Sequence, residues 1–280
     1  MTIRFSNSGV EPGSTRLGYD RLRVSAIFAD ADRRDSHLLG DLVGRALRGS
    51  RVQGEDSCVR TPGPWLGRTA RPGPAPRAWL QLLDVGNLTL EGGTKRLPLR
   101  ISLVPSLFSA VRGVRYDGDI DHSRPWLATD KLRLTATGGD GIAPFTAEVQ
   151  VPRPVRLTHV GGRRVRGGMV SATAPIVAGD AVARGPTRVG NLDIRWGSVD
   201  GEADLEVLVG SEQGAGIDWL RCRLRDDGEF TVPAVLLETL PKRSARQPWL
   251  VVLVRSRAAR VPGFPGDPLL LELVDSVRVR

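Results

Sequence analysis

The fold of this chain is decided by the stretch KLRLTATGGDGIAPFTAEVQV, residues 131–151. Apolar side chains occupy alternate positions on both sides of its glycine-rich centre: Leu132, Leu134 and Ala136 before it, and Phe145, Ala147, Val149 and Val151 after it. Because successive side chains of a strand point to opposite faces, this alternation predicts two half-buried strands. The turn residues GGDGIAP between them predict that the two strands pair antiparallel.

The same alternation recurs along the chain. In RLRVSAIF, residues 21–28, every second residue from Leu22 onward is apolar. Further strands are predicted over residues 79–83, 87–90, 97–103, 155–159, 192–196, 205–209, 217–224, 229–232, 249–255 and 269–279. About thirteen short strands separated by turn residues indicate an all-β protein of antiparallel sheets.

Helical periodicity is convincing in one place. The sequence DSHLLGDLVGRALRG, residues 35–49, predicts one short helix over residues 36–48 that packs on a sheet. A shorter helical turn is predicted over residues 234–240, directly after Pro233.

Proline marks the breaks between the predicted elements. Residues 60–77 are rich in proline and predict an exposed irregular loop, because proline cannot donate to a sheet ladder. The break VPRPV, residues 151–155, predicts a domain boundary. The halves on either side of it, residues 1–152 and 153–280, are each the right size for a β-sandwich domain.

The chain is strongly basic, with a formal net charge of +9 and 37 arginines among its 40 basic residues. Such a charge favours contact with polyanions such as nucleic acid or acidic polysaccharide. The alternative is that the arginines are scattered over the surface and solvated. A composition rich in arginine and poor in lysine is also typical of a GC-rich genome.

The strand IDWLRCRLR, residues 217–225, carries candidates for a contact surface. One face is Leu220, Cys222 and Leu224, and the other is Trp219, Arg221 and Arg223. We therefore expect Trp219 to be exposed or to lie at a domain seam, beside arginines suited to cation–π stacking or an anionic partner. With the tryptophans that flank the proline-rich loop, the residues predicted to contact a ligand or partner are Trp219, Arg221, Arg223, Trp65 and Trp79.

An acidic segment offers a candidate cation site. In DGDIDH, residues 117–122, alternation places three carboxylates on one side of an extended loop. These are Asp117, Asp119 and Asp121. Such a set suits calcium if carbonyl groups add further oxygens. The alternative is an ordinary acidic turn between strands.

The chain has two cysteines, Cys58 and Cys222, which are too few for a cysteine-rich zinc site. Cys222 shares a face with Leu220 and Leu224, so we expect its side chain to point inward. Either it is a buried free thiol, or it forms a disulfide with Cys58 that closes about 165 residues.

No sequence motif indicates an enzyme. The sequence has no G-x-S-x-G elbow, P-loop or dinucleotide fingerprint, and its three histidines are scattered singly. We therefore predict a protein without catalysis and without a cofactor. No run of 18 apolar residues predicts a transmembrane helix, and residues 1–20 lack the apolar centre of a signal peptide.

Five segments carry a resemblance to a known group of proteins. They are LDVGNLTLEGG (83–93), WLATDKLRLTATGGDGIAPFTAEVQVPRPVRLTH (126–159), NLDIRWGS (191–198), LRCRLRDDGEFTVPAVLLETLP (220–241) and WLVVLVRS (249–256). Together these resemble a family of myxobacterial-type exported or lipid-anchored β-sandwich proteins. The resemblance covers about half of the chain. It implies two β-sandwich domains, the second immunoglobulin-like, in a cell-envelope setting, and it implies no activity.

We therefore expect a non-catalytic recognition or structural protein of the cell envelope or extracellular space. It would act through its β-sandwich surfaces on a protein or glycan partner that the sequence does not identify. The rival hypothesis is a polyanion-binding module that uses exposed arginines. A hydrolase whose site is assembled from loops is a third.

Overall fold

The computed structural model describes residues 2–6, 21–26, 28–31, 55–62, 80–103, 111–112, 114–121, 124–139, 141–165, 169–170, 190–211, 218–240 and 249–279. The strands within them are β1 (Thr2–Ser6), β2 (Arg21–Ala26), β3 (Ala29–Ala31), β4 (Ser57–Pro62), β5 (Leu80–Leu82), β6 (Leu88–Gly92), β7 (Lys95–Pro98), β8 (Arg100–Leu103), β9 (Val111–Arg112), β10 (Val114–Asp121), β11 (Lys131–Ala136), β12 (Phe145–Gln150), β13 (Arg156–Val160), β14 (Arg163–Arg164), β15 (Met169–Val170), β16 (Leu192–Gly197), β17 (Asp204–Ser211), β18 (Asp218–Leu224), β19 (Glu229–Val232), β20 (Trp249–Val261) and β21 (Phe264–Val279). The helices are α1 (Arg124–Leu127) and α2 (Ala234–Leu237). The prediction of an all-β protein built mostly from antiparallel sheets is confirmed.

The stretch that decides the fold forms the predicted hairpin. Strands β11 and β12 pair antiparallel, in a register that runs from Lys131 opposite Gln150 to Ala136 opposite Phe145. All the apolar side chains of these two strands are buried, and the polar ones between them are exposed or half-buried. Gly138 in the turn has a φ of +87°, a backbone conformation that side chains disfavour.

Within the described residues the strands form four sheets. The largest has ten strands, in the order β4-β18-β17-β20-β21-β1-β2-β10-β8, with β15 beside β21. The smaller sheets run β12-β11-β6-β7, β14-β13-β16-β19 and β3-β5-β9. Strand β1 lies parallel to β21, so strands from both halves of the sequence share one sheet.

Two main hydrophobic cores lie against this sheet. The first holds apolar residues of the N-terminal half together with Val261, Leu269, Leu271 and Leu273. The second holds apolar residues of the C-terminal half, including Val251, Leu253, Val277 and Val279. The β20-β21 hairpin, with strands of 13 and 16 residues, therefore packs its turn end in one core and its open end in the other. The domain boundary between residues 152 and 153 and the immunoglobulin-like class of the C-terminal half stay predictions.

Trp219 is fully buried, so of its two predicted locations the exposed one is wrong, and the domain seam stays a prediction. Its strand β18 runs between β4 and β17, and both faces of the sheet are buried there. The cluster on the second face is Leu208, Trp219, Val252, Val254 and Val274. Gly210 lies opposite Trp219 on β17, and its lack of a side chain leaves room for the indole ring.

Several predicted features lie outside the described residues. These are the helix over residues 36–48 and the side chains of Trp65 and Trp79. Of the loop predicted over residues 60–77, the first three residues instead end strand β4, an edge position that tolerates proline. The helical turn predicted after Pro233 is confirmed as α2. No helix in this described part of the chain is long and apolar enough to cross a membrane.

Candidate functional site

Arginines contact two of the three carboxylates of the acidic segment. It lies on strand β10, where Asp117 accepts a hydrogen bond from Arg115 at 2.8 Å and Asp119 accepts one from Arg21 at 2.9 Å. A second guanidinium, that of Arg23, lies 3.6 Å from Asp119. The side chain of Asp121 lies outside the described residues, so the cation site at Asp117, Asp119 and Asp121 stays a prediction. No group of three His, Cys, Asp or Glu residues suited to a metal occurs in the described ranges.

The arginines of β18 are engaged with the protein's own carboxylates. Arg221 donates from Nε to Glu206 at 3.1 Å and is itself buried. Arg223 donates to Asp204 at 2.8 Å. The predicted contact face at Arg221 and Arg223 is therefore charge-balanced, because each guanidinium group donates to a carboxylate on the neighbouring strand β17.

The two cysteines form a disulfide. Cys58 on β4 and Cys222 on β18 are direct cross-strand neighbours, with Cα atoms 4.0 Å apart. Cys222 is fully buried in the second core, and Cys58 packs against the same core. The bridge fixes β4, at one end of the described sheet, to the adjacent strand β18 across 164 residues of sequence.

A buried ion pair lies where the long hairpin passes between the two cores. Arg255 on β20 is fully buried, and its Nη2 lies 2.7 Å from Asp226 in the turn between β18 and β19. The guanidinium also donates to the backbone carbonyl of Arg153 at 2.7 Å and to that of Ser198 at 2.6 Å. A buried charge is tolerated when it is paired and hydrogen-bonded in this way. Arg255 therefore joins three separate segments of the chain.

The carboxylate of Asp226 has further donors besides Arg255. It accepts hydrogen bonds from the indole N–H of Trp196 and from the backbone N–H of Asp200, both at 2.8 Å. Trp196 is buried, as its alternation with Leu192 and Ile194 predicts. This network sets the position of the loop that carries Asp200.

Asp200 extends the network to the surface. Its carboxylate accepts hydrogen bonds from the backbone N–H of Arg153 at 2.9 Å and from Arg257 Nη2 at 2.9 Å. Burial alone would raise the pKa of Asp200, but these donors and the N–H of Glu202 outweigh it, so the pKa is lowered. Arg257 also contacts Gln150 through Nη1 and Glu202 at 3.0 Å through Nη2.

A cleft of about 350 Å³ opens beside this network; we call it the seam cleft. Its lining residues are Leu127, Ala128, Thr129, Asp130, Lys131, Gln150, Val151, Pro152, Arg153, Pro154 and Arg257. The cleft thus lies between the end of α1, the open end of the β11-β12 hairpin and the proline-punctuated segment that follows β12. Three of its lining residues are cationic and one is acidic.

Two of these cations lack a close carboxylate partner. The guanidinium of Arg153 contacts the carbonyl oxygen of Val199 at 3.4 Å and has no ion pair within the described residues. Lys131 Nζ lies 3.9 Å from Glu148, whose carboxylate is held more closely by Arg133 at 2.7 Å. The seam cleft can therefore offer N–H donors to an anionic group.

Sequence reasoning did not find this region. The available signal was Arg255 within the apolar run WLVVLVRS, because a charge inside a buried strand requires a partner. The partners themselves lie between 29 and 102 residues away in sequence, so no local pattern connects them. Comparison of the sequence with protein-family models and with curated proteins finds no match.

Proposed function

We propose that this is a non-catalytic recognition or structural protein of the cell envelope or extracellular space, acting through its β-sandwich surfaces. The observation that carries the proposal is what the described carboxylates contact. They accept hydrogen bonds from arginines and N–H groups of neighbouring segments and so hold the sheets together. A general acid or base instead needs a pKa near the working pH.

The pKa shifts support this interpretation. The phenol of Tyr116 donates to Asp84 at 2.6 Å and, with the N–H of Gly86, lowers the pKa of that carboxyl. The hydrogen bond from Arg21 lowers the pKa of Asp119. These shifts move the pKa values of both carboxyls further below neutral pH, so the two groups stay ionised and keep accepting hydrogen bonds from their donors.

The disulfide supports an exported setting. Disulfides persist in oxidising compartments and are rare in the reducing cytosol. The Cys58–Cys222 bridge lies in a core position, which suits a permanent structural role. The resemblance to exported β-sandwich proteins points the same way.

The polyanion-binding alternative is less well supported. Two of the arginines predicted to contact a partner, Arg221 and Arg223, bind Glu206 and Asp204. A polyanion would have to displace these carboxylates before it could use the guanidinium groups. Retention on heparin that falls steeply as salt rises would nevertheless favour this alternative.

The proposal is tested by separating binding from turnover. The purified full chain is applied to glycan and peptide arrays, and in parallel to chromogenic esters, glycosides and phosphate monoesters. We expect saturable binding to an array ligand that is recovered chemically unchanged, and no turnover above the buffer rate. Turnover that copurifies with the chain and disappears when the chain is unfolded would overturn the proposal.

A further inference from the structure

We infer that the seam cleft binds a carboxylate group presented by an acidic peptide segment. The inference rests on the proposed function, since it names the site and the ligand class of a recognition protein. The cleft is defined by the lining residues given above, of which Arg153 and Lys131 would contact the carboxylate.

The charge balance of the cleft favours an anion. Lys131, Arg153 and Arg257 line it, against the single carboxylate of Asp130. Arg257 is already neutralised by Asp200 and Glu202. The other two cations keep most of their N–H donors available, and charge-assisted hydrogen bonds to a carboxylate are the strongest that such donors make.

The backbone of Arg153 is fixed by hydrogen bonds. Its N–H donates to Asp200 at 2.9 Å, and its carbonyl accepts from Arg255 at 2.7 Å. Pro152 and Pro154 on either side fix the backbone further, because the proline ring locks φ. At Arg153 only the side chain must be ordered on binding, which lowers the entropic cost of that contact.

The rest of the lining suits a peptide better than a sugar. Leu127, Val151, Pro152 and Pro154 provide aliphatic surface for the methylene groups of an acidic side chain. None of the lining residues that the structure describes is aromatic, so among them an acidic sugar finds no ring on which to stack. The volume of about 350 Å³ is that of a small-ligand site.

The probe for the test is a fluorescein-labelled hexaglutamate peptide, with hexalysine as the charge-reversed control, followed by fluorescence anisotropy. The variants are Arg153→Gln and Lys131→Gln. The matched control is Arg100→Gln, which removes one exposed arginine from β8, outside the cleft lining. We expect each cleft variant to weaken hexaglutamate binding by roughly tenfold, and Arg100→Gln to change it less than about twofold.

The outcomes are distinguishable. Unchanged thermal midpoints of the variants show that the fold is intact, because neither cleft side chain makes a buried contact. Equal loss of binding in Arg100→Gln, or no hexaglutamate binding by the wild type while an array ligand still binds, overturns the cleft inference and leaves the proposed function standing. Binding of oligogalacturonate that depends on Arg153, without hexaglutamate binding, overturns the peptide assignment. Turnover of any substrate overturns the proposed function instead.

Discussion

Arg255 and Asp226 form an ion pair 2.7 Å long in which the two side chains are 0% and 3% exposed. The pair stands between the two cores, and the same guanidinium binds backbone carbonyls of Arg153 and Ser198. Arg255 therefore links the turn that carries Asp226 to the segments of Arg153 and Ser198. The backbone that presents Arg153 to the seam cleft depends on it.

Replacing Arg255 with methionine should strongly destabilise the protein. The substitution leaves Asp226 buried with only its indole and amide donors, and it leaves two carbonyls without their guanidinium donor. Breaking a buried pair in this way should lower the unfolding free energy by about 3–5 kcal/mol. Urea denaturation of the variant and the wild type measures this loss. The control Arg223→Met breaks the exposed pair with Asp204 and should cost less than about 1 kcal/mol. Equal losses would show that the buried pair has no special role.

Gly210→Ala tests the packing of the buried indole. A Cβ atom at position 210 would lie 2.5 Å from a ring carbon of Trp219, so the ring or the strand must shift. We expect a loss of roughly 1–3 kcal/mol of unfolding free energy. The control Gly201→Ala adds the same atom where nothing lies within 4 Å, and it should not destabilise.

A double-mutant cycle checks the cause of that loss. In the background of Trp219→Leu, whose smaller side chain leaves space, Gly210→Ala should cost much less than it does alone. A cost that is the same in both backgrounds would mean that the indole is not what the new methyl group meets.

Removal of the disulfide should lower stability without changing the fold. The double variant Cys58→Ala and Cys222→Ala releases a loop of 164 residues, for which the chain-entropy model gives a loss of up to about 5 kcal/mol. Dithiothreitol should lower the unfolding midpoint of the wild type towards that of the double variant, and leave the double variant itself unchanged. A midpoint that does not respond to the reductant would contradict the structural role of the bridge.

Acid should weaken the β2-β10 contact. The hydrogen bond from Arg21 lowers the pKa of Asp119 below its ordinary value of 3.8. A carboxyl whose pKa is lower in the folded protein than in the unfolded chain stabilises the fold above the unfolded pKa, and this contribution is lost as the pH falls through the folded pKa.

The wild type should therefore lose unfolding free energy more steeply than Asp119→Asn as the pH falls below about 4. Arg21→Gln should flatten the same part of the curve, because it removes the donor that lowers the pKa. Chemical denaturation at a series of pH values measures both slopes. Parallel curves for the wild type and Asp119→Asn would refute the assignment.

The positions of many strands along the chain were predictable. The hairpin over residues 131–150 follows from alternation on both sides of a glycine turn, and α2 follows from a proline that starts a helical turn. The strand at residues 192–197 placed Trp196 in the core for the same reason. These features depend on neighbours within a few residues.

The surroundings of Trp219 and of the acidic segment could not be predicted from the sequence, for a shared reason. Alternation assigns a side chain to one face of a strand, but it does not show whether that face is covered or which charges lie across it. Trp219 is buried in a cluster with Leu208, Val252, Val254 and Val274. Asp119 meets an arginine 98 residues away on β2.

The alternation of apolar and polar residues was enough to predict that the chain folds into pleated strands, since this pattern lies within each strand. The folded structure was needed to show that Cys58 meets Cys222, that Arg255 meets Asp226, and that a cleft lies beside Arg153. Those outcomes depend on strand order and sheet stacking, which are set by contacts between segments far apart in sequence.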